Sequence, residues 1–338
     1  MQLEVSKIRK EEKEELQKQD EGGFLKNVIS LMTKNIKFIL IPGSTIESLT
    51  LKEQEYKKNI SQRKFLRRLK SPLTILGIFI LIFVITVAVF PQWLAPYSLE
   101  AASGYFLPLY APPSPGHILG TGEFGRDVLT RVIYGARVSL TVALPAIVIS
   151  VVGGLVFGII SAYYGGYIDA IIMRIADVVL AFPSLVLVLV IIANFGRDLT
   201  TILFVYGFLG IPFYARLIRG NVLQAKELPY VDAAKVAGAN NRRIMFKHIF
   251  PNVIQPIIIA VTFSIGGVIL GLAGLSFLGF TEPGIVEWGR DISVARFNLS
   301  RNALATVGPA VMILITVLGF MLLGDGLRDA LDPKLKNL

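Results

Sequence analysis

Four stretches of this chain carry no charged side chain over the length needed to cross a lipid bilayer as a helix. Residues 72–90, 138–164, 253–280 and 303–324 contain no Asp, Glu, Lys or Arg, and about 20 apolar residues suffice to span the hydrocarbon core. Residues 175–195 form a fifth stretch with one acid, Asp177, within i,i+3 reach of Arg174, and residues 199–215 a shorter sixth. The expected fold class is an all-α membrane protein with six transmembrane helices over residues 71–338, preceded by a polar extension of residues 1–70. Composition agrees, because 53% of the 338 residues are hydrophobic and only 17% are charged. That is more apolar surface than a soluble domain of this length usually buries.

Lys and Arg in short loops and flanks favour the cytoplasmic side of a membrane. Lys57, Lys58, Arg63, Lys64, Arg67, Arg68 and Lys70 precede the first span, so the N-terminus is expected inside, and with six spans the C-terminus as well. The loop over residues 216–251 is then cytoplasmic, and it carries Arg216, Arg219, Lys226, Lys235, Arg242, Arg243 and Lys247. The outer segments, residues 91–137, 196–198 and 281–302, hold Arg126, Arg131, Arg137, Arg197, Arg290, Arg296 and Arg301. The bias is clear without being absolute, and it accounts for the net charge of +10 without nucleic acid as a partner.

With no cysteine the chain has no disulfide, thiol nucleophile or thiolate metal site. The first long apolar run begins near residue 72, behind a charged extension, and reads as an uncleaved anchor in the cell membrane rather than a signal peptide. Within that extension residues 5–21 are charge-rich. Residues 24–40, FLKNVISLMTKNIKFIL, place Leu25, Val28, Ile29, Met32, Ile36, Ile39 and Leu40 at helical spacing. This amphipathic helix suits either the inner leaflet or the protein's own cytoplasmic face.

The most informative polar segment is PYVDAAKVAGANNRRIMFKHIFP, residues 229–251, wedged between two apolar spans. Pro229 opens a helix where its missing N–H costs nothing, and Gly238 closes it by taking the left-handed conformation. A helix of about nine residues is marginal in water and needs a docking surface. Ala233, Ala234, Ala237 and Gly238 are expected to keep one side thin for a partner, with Asp232 and Lys235 paired on the surface. A second helix is expected from about Asn240.

The order Asp232-Ala233-Ala234, three residues, Gly238, and then Ile249-Phe250-Pro251 resembles the EAA loop of ABC-importer permeases, with Asp232 for Glu and Phe250 for Leu. Residues 119–140, LGTGEFGRDVLTRVIYGARVSL, resemble the signature before the second span of oligopeptide and dipeptide permeases, with Gly122 where Asp is usual. LSFLG at residues 275–279 with Glu287-Trp288-Gly289, and GDGLRDALDPK at residues 324–334, resemble further segments of that subfamily, of the C-subunit type. Together they cover roughly residues 70 to 338 in order.

The resemblance implies a type I ABC-importer permease fold. It also implies a homologous second permease, two ABC ATPase subunits that use ATP and Mg, and an extracellular or periplasmic solute-binding protein. Tyr230, Asp232, Ala233, Ala234, Gly238, Ala239 and Pro251 would be ATPase-coupling residues, with no cofactor bound by this chain. The substrate implied is an oligopeptide or dipeptide. Relatives with these motifs also handle nickel complexes and oligosaccharides, and Leu272 stands before Ala273 where many relatives have Glu.

The residues point to no enzyme. His117 and His248 have no second histidine at ligand spacing, so no metal site is expected. Gly120-Thr121-Gly122 with Gly125 lacks the Gly-Lys-Ser/Thr ending of a phosphate loop. An ion-coupled carrier would bury acids or His in mid-span, whereas Asp177 lies one turn from a span end and reads as half of a pair with Arg174. Gly153, Gly154 and Gly158 in span two, and Gly267 and Gly271 in span five, are spaced for close helix packing. Pro183, Pro212 and Pro256 can kink their spans and act as gates. Asn298-Leu299-Ser300 is an outward-facing glycosylation triplet of a kind that also arises by chance.

Overall fold

A computed structural model describes residues 71–104 and 108–331. The extension of residues 1–70, with the amphipathic stretch at 24–40, lies outside the described residues, as do residues 332–338. The described chain forms α1 (Pro72–Val89), α2 (Pro91–Leu94), α3 (Leu99–Ser103), α4 (Val128–Tyr164), α5 (Gly166–Ala181) and α6 (Ser184–Phe195). These are followed by α7 (Leu199–Lys226), α8 (Pro229–Val236), α9 (Asn241–Phe277), α10 (Trp288–Ala295) and α11 (Leu304–Leu331). Among the described residues α1, α4, α7, α9 and α11 are long and apolar enough to cross a membrane. The pair α5 and α6 makes a sixth crossing if it is counted as one span.

Local sequence explains the helix starts. Ser71 caps α1 by accepting from Thr74 N at 3.2 Å, with Pro72 in the first turn. Asp127 caps α4 by accepting from both Thr130 N and Thr130 Oγ1 at 2.7 Å. Asp198 caps α7 in the same manner. α4 thus begins ten residues before its charge-free stretch, and residues 128–137, expected in an outer segment, are helical. The polar cap, not the hydrophobic boundary, decides where the helix starts. Arg137 uses its place in this first part of α4 to donate to the Ala88 and Val89 carbonyls at 2.9 and 2.7 Å, satisfying groups that the end of α1 leaves open.

The third apolar stretch is not one straight span. α5 and α6 meet at 89° across Phe182 and Pro183. Proline has no N–H to continue the ladder and forces the residue before it out of the helical region, and Phe182 is accordingly extended, with ψ 143°. Asp177 departs from expectation as well: its carboxylate takes Arg216 of α7, not Arg174 of its own helix.

The most extensive helix contact joins α4 to α7. A Cβ on Gly153 would lie 2.6 Å from Ile211 Cδ1, and one on Gly158 would lie 2.7 Å from the Ala215 carbonyl oxygen; Gly154 faces Tyr214 as closely. Ser150 donates to the Gly207 carbonyl at 2.8 Å across the same seam. A second close contact, which the sequence reading did not single out, sets Gly77 of α1 against Leu322 of α11 and Gly319 of α11 against Ile80. Small residues let the backbones approach where lipid supplies no hydrophobic drive.

Beyond the start of α4, residues 91–104, 108–127 and 281–302 form a knit cap. Arg131 is buried and donates to Asp291 Oδ1 from Nε at 2.9 Å, to the Ala102 carbonyl at 2.7 Å and to the Ile285 carbonyl at 3.1 Å. Trp288 is fully buried, donates from its indole to the Val132 carbonyl at 2.9 Å, and fills the space left by Gly135. Asn302 bonds the Leu119 and Thr121 carbonyls, and His117 meets Asp127 at 2.9 Å. Glu287 is also fully buried. Its Oε2 accepts from Gly289 N and Arg290 N at 2.7 and 3.1 Å to cap α10, and the Ser276 hydroxyl lies close to the carboxylate. Burial pushes this carboxyl up to about 7, against the Ser276 hydroxyl and the two N–H donors, which favour the charged form, and with Asp291 adding to the rise.

Breaking the Arg131–Asp291 pair from one side strands a buried charge, so Arg131→Ala is expected to destabilise the protein by about 3–5 kcal/mol, read as a lower midpoint of thermal unfolding in detergent. Glu287 ionises near 4.5 when unfolded and near 7 when folded. Its contribution is therefore full below pH 4.5 and lost as pH rises through 7. Glu287→Gln keeps an oxygen acceptor for the cap, so the stability difference between wild type and this variant should decline across that window and level off above it. A difference that does not change with pH would contradict the assignment.

Candidate coupling site

After α7 the chain turns through Leu228 into α8, which Pro229 opens at its first position. Its far end is closed by a pair of crossed bonds: Ala239 N donates to the Ala234 carbonyl at 3.0 Å and Gly238 N to the Lys235 carbonyl at 2.9 Å. This six-to-one and five-to-two arrangement needs a left-handed residue at its corner, and Gly238 supplies it with φ 77°. Among the described residues nothing lies within 4 Å of where a Gly238 Cβ would sit, so the glycine is required by backbone conformation and leaves an open surface. The Asn240 side chain then caps α9 by accepting from Arg243 N at 2.9 Å.

α8 and the first turns of α9 are two legs of a hairpin, and α9 continues without interruption into a membrane-length helix. Its residues Ile244–Ile249 form a π turn, a wider coil often found where a helix has work to do besides packing. The hairpin is rooted in a core of its own. Val231 of α8 is fully buried, and Ala234 nearly so, among Ile159 and Ala162 of α4, Ile218, Val222 and Ala225 of α7, and Ile244, Met245 and Ile249 of the second leg.

This root divides the expected coupling residues. Asp232, Ala233, Ala237 and Gly238 are exposed. Ala234 is not part of the same face: it sits one helical turn after Val231 and follows it into the core, so the expectation of a single thin side made with Ala234 is corrected. Tyr230 packs its ring on the core and has a hydroxyl without a partner among the described residues. Ala239 supplies one of the closing bonds, and Pro251 is exposed beyond the π turn, outside the hairpin's tip. Asp232 and Lys235 pair at 2.8 Å, as the i,i+3 spacing predicts, and the bonded carboxylate raises the Lys235 amine above its ordinary range. The residue missed from sequence is Val236, 89% exposed beside Gly238. Its signal was an apolar side chain at the end of a helix that already has an apolar face elsewhere.

The remaining candidates scatter. Pro183 marks the corner between α5 and α6, while Pro212 and Pro256 lie inside α7 and α9. Pro145 in α4 and Pro309 in α11 are interior prolines too. Gly153 and Gly158 serve the α4–α7 seam, and Gly271 admits the Tyr206 hydroxyl; a Cβ on Gly267 would meet nothing within 4 Å among the described residues. Among the described residues no group of three His, Asp or Glu is placed to hold a metal ion.

Known proteins share this pattern. Residues 154–337 match the family described as binding-protein-dependent transport system inner membrane component. A glutathione transport system permease protein of Pectobacterium atrosepticum is 39% identical over 262 residues, covering 77% of this chain and 86% of that protein. A dipeptide transport system permease protein of Alkalihalophilus pseudofirmus is 38% identical over 287 residues, covering 84% of this chain and 94% of that protein. A solved inward-facing MetNI methionine ABC transporter chain is 18% identical with a TM-score of 0.49, covering 60% of this chain and 97% of that one.

The protein therefore belongs to the family of binding-protein-dependent transport system inner membrane components. As such it is a multi-pass permease subunit of an ABC importer, a transport subunit rather than an enzyme, and it works with ATPase and substrate-binding components.

The hairpin's rooting can be tested apart from transport. Val231→Ala removes two methyl groups from a fully buried position, worth about 1.5 kcal/mol at about 0.8 per methylene. Amides of residues 230–239 should exchange with solvent faster while those of α1 and α11 keep their rates, as hydrogen exchange with mass spectrometry would report.

Proposed function

We propose that this chain forms half of the pathway of an importer for short peptides, beside a homologous second permease. Two ATPase subunits, which bind the ATP and Mg, clasp its inner face, and an external solute-binding protein delivers the cargo. Both termini and residues 216–251 lie on the cytoplasmic side, the reading that the Lys and Arg distribution supports. The peptide substrate is supported by relatives named for dipeptide and glutathione transport and by the motifs around residues 119–140 and 275–289.

The observation that carries this reading is the build of the hairpin. Its tip offers Ala233, Val236, Ala237 and Gly238 to a partner, its root is seated in the core with α4 and α7, and its second leg is the beginning of a membrane-length helix. An ATPase that closes around the tip would displace α8 as a body and move α9 with it, switching the permease between inward- and outward-open states. Asp232, Ala233, Gly238 and exposed Val236 make the contact. Tyr230, Ala234 and Ala239 hold the hairpin's shape, and Pro251 lies on the leg that carries the motion.

The test reconstitutes the complete complex in liposomes with its ATPases and binding protein and supplies alanyl-alanine or glutathione as solute. Gly238→Glu places a bulky acid at the tip, where a Cβ meets nothing within 4 Å among the described residues, at a cost of about 1–2 kcal/mol for a side chain in the left-handed region. It is expected to insert normally and to abolish solute-stimulated ATP hydrolysis. Gly238→Asn, which takes that conformation more readily, is the control for the strain alone and is expected to keep most of the stimulation. Stimulation at the wild-type level in Gly238→Glu would remove the coupling assignment.

A further inference from the structure

We infer that Tyr163 is a positioning residue of the coupling step, the point at which the second leg of the hairpin is held to the end of α4. This rests on the reading of the hairpin as the part driven by ATPase subunits and adds a second route for the motion. Tyr163 OH donates to Asn241 Oδ1 at 2.9 Å, joining residues 78 positions apart. Asn241 is the first residue of α9, directly after the Asn240 cap, and Tyr163 is also within electrostatic reach of Lys235 on the first leg. The ring packs on the hairpin's core and meets Tyr164 edge-on, with centroids 5.5 Å apart.

The surroundings of Tyr163 give the bond its meaning. Three successive residues at the end of α4 each bind a different element. Ser161 bonds Asp169 of α5, the Ala162 carbonyl accepts from Lys226 Nζ of α7 at 3.1 Å, and Tyr163 takes Asn241 of α9. Asp169 is in turn clamped by Arg219 of α7 through two hydrogen bonds at 2.6 and 2.7 Å. The corner is therefore braced on all sides, and of the three bonds only that of Tyr163 enters the hairpin.

The next turns of α9 are the π turn of Ile244–Ile249, whose wider coil can shift register more readily than an α-helix. A push on α8 that reached α9 through the chain alone would be absorbed partly there. Held at Asn241 ahead of the π turn, the hairpin instead moves α4 together with α9, and α4 carries α7 through the glycine seam.

The reconstituted complex described above measures peptide imported against ATP hydrolysed. Tyr163→Phe keeps the ring and its packing and removes only the donor, and Asn241→Ala removes the acceptor. Each is expected to raise the ATP spent per peptide about two- to tenfold, the range spanned by one net hydrogen bond, with the unfolding midpoint lowered by no more than about 4 °C. The double variant should be no worse than either single one, and Asn241→Asp, which keeps an acceptor, should retain the wild-type ratio. A wild-type ratio in Tyr163→Phe beside an inactive Gly238→Glu would overturn the role of Tyr163 while leaving the coupling site in place. If Gly238→Glu is also fully active, the coupling reading falls and this inference falls with it.

Discussion

The close approach of α4 and α7 is the contact on which the rest of the molecule depends. Gly153, Gly154 and Gly158 turn what would be side-chain volume into backbone proximity, and Ile211, Tyr214, Ala215 and Ile218 fill the space. In a bilayer the lipid solvates apolar side chains as well as protein does, so helices gain little from hiding leucines from each other and more from packing and from bonds such as Ser150 to Gly207. Because the seam brings the ends of α4 and α7 together, it sets up the floor of Ile159, Ala162, Ile218 and Val222 on which α8 rests.

Polar interactions are concentrated at the two ends of this seam. At the start of α4 they build a cap in which Arg131, Asp291, Glu287 and Trp288 are all buried: Arg131 and Trp288 bond groups from distant parts of the chain, and Glu287 holds the backbone N–H groups just after it. At the other end Asp169, Arg219, Lys226, Ser161 and Tyr163 brace a corner. The first end is held by buried polar side chains. The second carries an exposed hairpin whose tip has open space around its glycine.

Much of this was legible in the residues because membrane solvation leaves a coarse signal. Charge-free runs located α1, the later part of α4, the early part of α7, most of α9 and most of α11, and Pro229 with Gly238 located α8 within a residue. What failed to show had identifiable causes. The helices that extend past their apolar runs do so under control of caps and tertiary bonds: Asp127 starts α4 early, and Lys226 and its neighbours keep α7 helical well past residue 215. Asp177 had an acceptable partner in its own helix, and only the position of α7 made Arg216 the better one.

The sequence by itself determined that the chain is helical and multi-spanning, and that one short helix is closed by a left-handed glycine, because each of these follows from hydrophobicity, charge and backbone preference acting over a few neighbouring residues. Only the tertiary structure decided which face of that short helix is buried, that the third stretch turns through a right angle, and that Tyr163 meets Asn241. Those depend on how residues far apart in the chain are brought together, and a periodic pattern of apolar residues holds no record of which neighbour will fill a given face.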